Sequence, residues 1–412
     1  MLRLSVFVVV IGTASRAAAG GFEIPEQGAA ATGMAGARTA LSDAPDTVFY
    51  NPAGLTGASG TAGTVGSSLA VIKSTAEAAN SGQTPTVANS VVPIPFLFLT
   101  SKLTNDLGVG IGFFDQFGSS IRWSALNATN FPGRFVADYT NLTAFNINPE
   151  VAFGPFSGVS VGVGVDVILA AATLEQALPF GDTEGSVRLG GSTQTAGANL
   201  GLMYDAPGKI VSFGYSYRSQ VNLNFTHFYA HFTAPPELSA TVFDQPAATK
   251  IMLPDNMTWA VAVRPLDNLT FDLDVHYTLW SEFSTLAVTF PTSSTPGLST
   301  PQNWTNSTSL GLGAEWLPRE HLVVRLGFGY DWTPIPDDTL SPTVPGINRY
   351  VTTAGLGYTV QGFSIDLSYL AAFSGSRTST LATFPATYTQ FINLLSLGLS
   401  YRLPNWPKTQ GG

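Results

Sequence analysis

The sequence predicts an all-β fold, a transmembrane antiparallel β-barrel of about 14 strands whose lumen is plugged by a small helical segment at the N-terminus. Three observations carry that prediction. Only 11% of the 412 residues are charged, against 44% hydrophobic, whereas a soluble protein is nearer 25% charged. No stretch after the leader reaches the ~18 uninterrupted apolar residues of a membrane helix, so the apolar surface has to be spread over alternate positions. Segments of period two are joined by connections that alternate short and long, the pattern of an outer-membrane barrel.

Residues 1–19 read as a cleaved signal peptide. Arg3 precedes the apolar run Leu4–Gly12, and Ala17-Ala18-Ala19 is a small-residue cleavage site. Such export places the mature chain in the outer membrane of a Gram-negative bacterium. Residues 20–60 lack the alternation. They are small and Ala-rich, with a turn marked by Asn51-Pro52. They carry too few charges for a solvated tail and too little bulk for a domain of their own, so they are expected to plug the lumen.

The barrel is expected over 61–403, with a tail at 404–412. Val159, Val161, Val163, Val165 and Val167 alternate with Ser160, Gly162, Gly164 and Asp166. Leu322–Trp332 and Leu269–Leu279 alternate in the same way, and period two means strands with one apolar and one polar face. The expected strands are 61–73, 91–101, 107–114, 140–153, 159–176, 186–205, 210–232, 248–264, 269–290, 306–317, 322–332, 349–359, 363–374 and 392–403. Asp115–Tyr139, Thr233–Ala247, Pro291–Thr305 and Thr333–Asn348 are the long loops. An even count puts both termini on the periplasmic, short-turn side. Trp259, Trp280, Trp316, Trp332 and Tyr401 fall near strand ends, where an interfacial aromatic girdle would lie.

The formal charge of −9 argues against nucleic acid as a partner, because phosphate binding needs a basic surface. Absent cysteine removes lipoprotein acylation, disulfides and thiolate metal sites. No cofactor and no metal is expected. His227 and His231 have a metal spacing only on a helix, and this segment reads as strand or loop. Asp272, Asp274 and His276 share a strand face, but no serine is tied to them and a lumen needs polar residues in any case. The chain is not expected to be an enzyme.

Several motifs then resemble one family. Gly21-Phe22-Glu23, Glu26-Gln27, Gly33-Met34-Ala35-Gly36, Asp43 and Asn51-Pro52-Ala53-Gly54-Leu55 resemble the N-terminal hatch of the FadL/TodX transporters of hydrophobic compounds. Tyr215-Ser216-Tyr217-Arg218-Ser219, Leu253-Pro254-Asp255-Asn256, Trp280-Ser281-Glu282-Phe283, Asn303-Trp304 and Arg325–Asp331 continue the likeness in order. Two departures stand out. The connection at about Ala177–Gly185 is short where many relatives carry a helical insertion, and the chain ends on Tyr401-Arg402-Leu403 plus a tail.

The resemblance implies passive transport of long-chain fatty acids or other hydrophobic compounds, captured in an apolar pocket and passed by the hatch towards an opening in the wall. Uptake of aromatic or alkane hydrocarbons is the alternative, and a structural or adhesive barrel is the reading from a different class. Outer-membrane lipids, the barrel-assembly machinery and a monomeric state complete the expected partners. On the hatch, Phe22, Ile24, Met34 and Leu41 are the candidates for the ligand tail. Arg218 and Arg325 are the candidates for a carboxylate head, against pairing with inward acids such as Asp166, Asp274 or Asp331. Asn51, Pro52 and Ala53 form a turn that fixes the hatch.

Overall fold

The computed structural model describes residues 20–403 except 43, 80, 89–90, 124–130 and 293–296. The signal peptide and the tail at 404–412 lie outside the described residues, as does Asp43 of the hatch motif. No helix among the described residues is long and apolar enough to cross a membrane.

The chain forms one closed antiparallel barrel of fourteen strands. In order they are β1 (Thr61–Ala78), β2 (Val91–Lys102), β3 (Leu107–Arg122), β4 (Tyr139–Phe156), β5 (Val159–Phe180) and β6 (Thr183–Asp205). Four interrupted strands follow: β7 (Val211–Arg218 and Val221–Thr233), β8 (Gln245–Leu253 and Asn256–Leu266), β9 (Leu269–Thr278 and Thr285–Thr289) and β10 (Leu298–Pro301 and Ser307–Arg319). The last four are β11 (Leu322–Asp331), β12 (Arg349–Val360), β13 (Phe363–Ser374) and β14 (Ala386–Arg402). β14 closes the sheet on β1, from Ala62↔Arg402 to Ala78↔Ala386. Closure pairs the first strand with the last, as a lipid-embedded sheet requires.

Period two sets the faces as the sequence predicted. Val159, Val161, Val163 and Val165 are 39–49% exposed on the outside, while Ser160 and Asp166 are buried inside. The connections also alternate, except that β5 and β6, on the long-loop side, meet across only two residues, Gly181 and Asp182; the short connection expected at about Ala177–Gly185 is shorter still.

Two expectations need correcting. The third strand does not stop at 114; it runs to Arg122, and the loop expected from Asp115 begins after it. Phe114–Ser120 are all buried, so this stretch has no wet face to produce an alternation. Trp280 is not part of an outer girdle. It is 0% exposed and lies in the lumen, because it follows the end of the first half of β9, where the chain leaves the wall.

The β2–β3 ladder is incomplete. It runs only from Lys102↔Gly108 to Leu97↔Phe113, although β2 pairs with β1 up to Val71↔Val91 and β3 pairs with β4 up to Arg122↔Tyr139. Pro93 and Pro95 explain which strand gives way. Alternate positions point their nitrogens to the same edge, and proline has no donor to offer there. Because the β1 ladder runs through both prolines unbroken, the open edge is the one facing β3. A hydrogen bond from Ala88 N to Arg122 O (2.7 Å) bounds this window at its outer end.

The N-terminal segment lies inside the barrel. Helices α1 (Ala29–Thr32) and α2 (Thr47–Tyr50) and a 3-10 turn (Pro52–Gly57) are each about one turn long. Their burial comes from the wall, which offers glycine where they approach. A Cβ on Gly162 would stand 2.3 Å from Pro52 C, and one on Gly201 would stand 2.1 Å from Asn51 Oδ1.

Candidate functional site: a gated chamber in the lumen

The four broken strands make the site. In β7, Arg218 and Val221 both face inward across the interruption at Ser219-Gln220, and in β8 Leu253 and Asn256 do so across Pro254-Asp255. Three-residue spacing between inward positions reverses the parity of the strand. Asp255 ties the two breaks together: its Oδ1 accepts from Tyr217 Oη (2.5 Å) and from Gln220 N (3.0 Å). Asn306 joins the breaks of β9 and β10, accepting from Ser281 N at 3.0 Å and donating to Tyr277 Oη at 3.1 Å.

Phe22 of the hatch sits in the box these breaks leave. Its ring lies 4.7 Å from Trp280, 5.7 Å from Trp304, 5.8 Å from Phe283 and 6.2 Å from Phe117, measured between centroids. Gly21 has φ +69°, and a Cβ there would come within 2.6 Å of the Trp280 ring. Only glycine lets the chain enter so closely.

Glu23 is the next residue and is buried. Asn256 Nδ2 donates to its Oε1 at 2.8 Å, Gln116 Nε2 to the same oxygen at 3.4 Å, and Thr278 Oγ1 to Oε2 at 3.0 Å. His276 Nε2 stands 3.1 Å from Oε1. Burial works to raise this carboxyl, but the facing His276 imidazole and these hydrogen bonds outweigh it and hold Glu23 below the usual carboxylate range. Glu26 goes the other way: burial raises its carboxyl further than nearby Arg349 lowers it. The backbone here also pairs with the inner side of β3, through Ile24 N to Gln116 O (2.7 Å) and Gly118 N to Phe22 O (2.8 Å). The hatch therefore covers the very edge of β3 that β2 leaves free.

Above Phe22 lies an apolar chamber lined by Leu142, Ala172, Ile251, Phe283, Trp304 and Ile335 among others. Below it a polar space is bordered by Glu23, Glu26, Asp274, Asp331, Arg218 and Arg349. A third space lies on the window side, where Ile24 meets Ile94 of β2 and Leu394 of β14.

The candidates named from sequence separate accordingly. Phe22 borders the apolar chamber and Ile24 the space beside β2. Met34 and Leu41 are buried against Ala260 and Ala262 of β8, away from all three spaces. Arg218 pairs with Asp166 and donates to Phe49 O at 3.3 Å. Arg325 pairs with Glu315 (2.7 Å) and Asp366 (2.5 Å); Asp331 is instead the partner of Arg349, at 3.0 Å. Asp274 accepts from the backbone of Thr39 at 3.1 Å. Asn51 anchors the turn: its Nδ2 donates to Thr39 O (2.9 Å) and Leu202 O (3.0 Å), and its Oδ1 accepts from Ala53 N (3.1 Å). Pro52 starts the 3-10 turn, where its missing donor costs nothing.

Sequence reasoning did not single out Pro93 or Pro95, although alternate prolines inside an otherwise clear strand were the available signal for the window. Glu23 stood in the hatch-like motif Gly21-Phe22-Glu23, but its role as an acceptor was not read, because its partners lie 93–255 residues away.

Known proteins agree with this architecture. The chain is 24% identical over 363 residues to outer membrane protein P1 of Haemophilus influenzae, covering 76% of each. It is 23% identical over 310 residues to a long-chain fatty acid transport protein of Escherichia coli, covering 66% of this chain and 68% of that one. Among solved structures, a Pseudomonas aeruginosa FadL homologue superposes with a TM-score of 0.82 at 18% identity, covering 92% of this chain and 99% of that one. The Pseudomonas putida toluene transporter TodX gives 0.76 at 17%, covering 93% and 100%. A family model described as outer membrane protein transport protein (OMPP1/FadL/TodX) matches residues 10–402. This barrel belongs to that family of outer-membrane transporters of hydrophobic compounds.

Proposed function

We propose that the chain takes up hydrophobic compounds, long-chain fatty acids first among them, by passive capture in the chamber above Phe22 and release through the window between β2 and β3. Aromatic or alkane hydrocarbons would use the same route. One observation carries this reading: Phe22 borders the apolar chamber and Ile24 the space beside β2, and residues 22–24 hydrogen-bond to the edge of β3 at the window. Burying a methylene gains about 0.8 kcal/mol, so a long apolar tail needs no covalent chemistry to be held. Release requires residues 22–24 to leave β3, which opens both the chamber floor and the window in one movement. The protein works as a monomer among outer-membrane lipids, placed there by the barrel-assembly machinery.

The window is tested by closing it. Pro93→Val with Pro95→Val returns two donors to the open edge of β2 and lets β3 complete its ladder. Two hydrogen bonds at about 1 kcal/mol each favour the closed wall by a factor of roughly 30, so oleate uptake by cells should fall by about that much while the folded barrel remains. Undiminished uptake would rule out lateral release at this seam.

A further inference from the structure

The lining of the chamber is apolar but not without chemistry. Ser119 Oγ, Thr140 Oγ1 and Trp304 Nε1 belong to residues that line it, and each atom is buried with no hydrogen-bond partner among the described residues. Trp280 Nε1, in the box around Phe22, is in the same state. Buried polar atoms are normally paired, and an unpaired one costs free energy. Charge is the other missing ingredient: among the described residues, no Asp, Glu, Lys, Arg or His lines this space. The arginines nearest in sequence to its β3 and β4 lining, Arg122 and Arg134, are paired with Glu175 and Glu184. An indole N–H can only donate, so the unmet demand includes an acceptor on the ligand.

We propose that the chamber selects uncharged amphiphiles: an apolar body carrying one neutral oxygen acceptor, as in an alcohol, ketone or ester. This rests on capture in the chamber as described above and specifies what is captured. A pure hydrocarbon fills the space and leaves the three polar atoms unpaired. A carboxylate satisfies donors but brings a charge to a site with no cation, and burying an unpaired charge is the costlier error. A fatty acid therefore enters as the neutral acid.

The test uses the whole protein in amphipol and four matched probes, decane, 2-decanone, 1-decanol and decanoate, with retained probe measured by gas chromatography. In Trp304→Phe/Thr140→Val the shape is nearly kept and two polar atoms are lost. Going from wild type to this variant, 2-decanone and 1-decanol should each lose about tenfold more affinity than decane loses, as expected for lost hydrogen bonds. Trp304→Phe alone should show part of the same split. Retained decane binding also reports that the variant chamber is folded. Decanoate should lose affinity between about pH 4 and pH 8 as its carboxyl ionises, while 2-decanone does not. Equal losses for decane and 2-decanone, no loss for either, or decanoate binding undiminished at high pH would each overturn the assignment. If wild type retains none of the probes, capture in the chamber fails and the selectivity with it.

Discussion

Low on β5 the inward residues are Ser160, Gly162, Gly164 and Asp166; further up the same strand they are Ile168, Ala170 and Ala172. The same change runs around much of the barrel. Below the breaks, Asn256, Arg218, Asp272 and Glu315 face the lumen, and above them Leu253, Leu223, Phe225 and Val288 do. The lower half is occupied by hatch backbone, because glycines such as Gly201 and Gly214 admit it where a Cβ would clash, and the spaces left beside it are polar. The upper half is lined by side chains around an apolar chamber. A barrel this wide has to fill its lumen or use it, and here one strand set does both by changing the composition of its inner face. The strand breaks mark the boundary, and Phe22 and Glu23 sit on it, one facing each kind of lining.

The largest expected effect comes from adding the same bulk to both halves. Gly201→Val places atoms where Asn51 Oδ1, Pro52 Cδ and Ala53 N already lie, at 2.1–2.8 Å from the new Cβ. Overpacking of this kind costs about 1–3 kcal/mol or more, and displacing Asn51 forfeits its three hydrogen bonds as well. The hatch should unseat, and planar-bilayer recordings should show ion conductance that wild type lacks. Ala172→Val adds comparable volume beside the chamber. It should narrow the space for ligand without any leak. A leak from both variants, or from neither, would break the distinction between filled and lined halves.

A smaller effect is expected at the boundary. The folded state holds the Glu23 carboxyl below its ordinary value. The stabilisation is therefore fully present above the unfolded carboxyl pKa and is lost as pH falls through the lower, folded one. The groups facing it are His276, Asn256, Thr278 and Gln116, with Asp331, Arg349 and Glu26 in the polar space beneath. Glu23→Gln removes the charge at any pH and, with its amide oxygen towards Asn256 and Gln116, turns a donor towards Thr278. Charged hydrogen bonds are worth about 1.5–3 kcal/mol, so the open population should rise roughly tenfold at neutral pH. Because the chain has no native cysteine, the maleimide labelling rate of Gly20→Cys reports that opening directly. The ratio of variant to wild-type labelling should shrink towards one in acid; a ratio that stays flat with pH would mean that Glu23 does not latch the N-terminus.

The fourteen strands were legible because a lipid-facing residue and a lumen-facing one must differ, and that difference repeats every second position. Where it vanishes the reading failed. Phe114–Ser120 are buried on both faces, so they looked like loop. Trp280 resembled a girdle residue because its distance from the strand end is the same whether the chain stays in the wall or turns inward. The family-like motifs around Tyr217, Pro254, Trp280 and Trp304 were visible as residues, but their common purpose was not. All four fall at strand breaks, and only the closed ring brings those breaks to one level. Site residues follow the same division. Phe22 and Ile24 reach cavities, whereas Met34 and Leu41 have the same apolar character and reach only wall, since both lie in irregular chain between α1 and α2, where no periodicity marks a face.

Met34 provides the smallest expected effect and the finest test of the comparison. It is fully buried, its Cβ would lie 2.7 Å from a Cβ on Gly313, and Gly327 faces its backbone across the same layer. Met34→Leu conserves volume and polarity, so it should cost under about 1.5 kcal/mol and leave both the rate and the selectivity of uptake at wild-type values. Phe22→Leu is the matching change on the other side of the boundary. It removes an aromatic ring from contact with Trp280 and Trp304, where such pairs add about 0.5–1.5 kcal/mol each beyond burial, and should alter which ligands compete for uptake. Competition assays with 2-decanone and oleate separate the two. If Met34→Leu moved selectivity as far as Phe22→Leu, ligand would have to pass through the packed half, and the hatch would be a route rather than a floor.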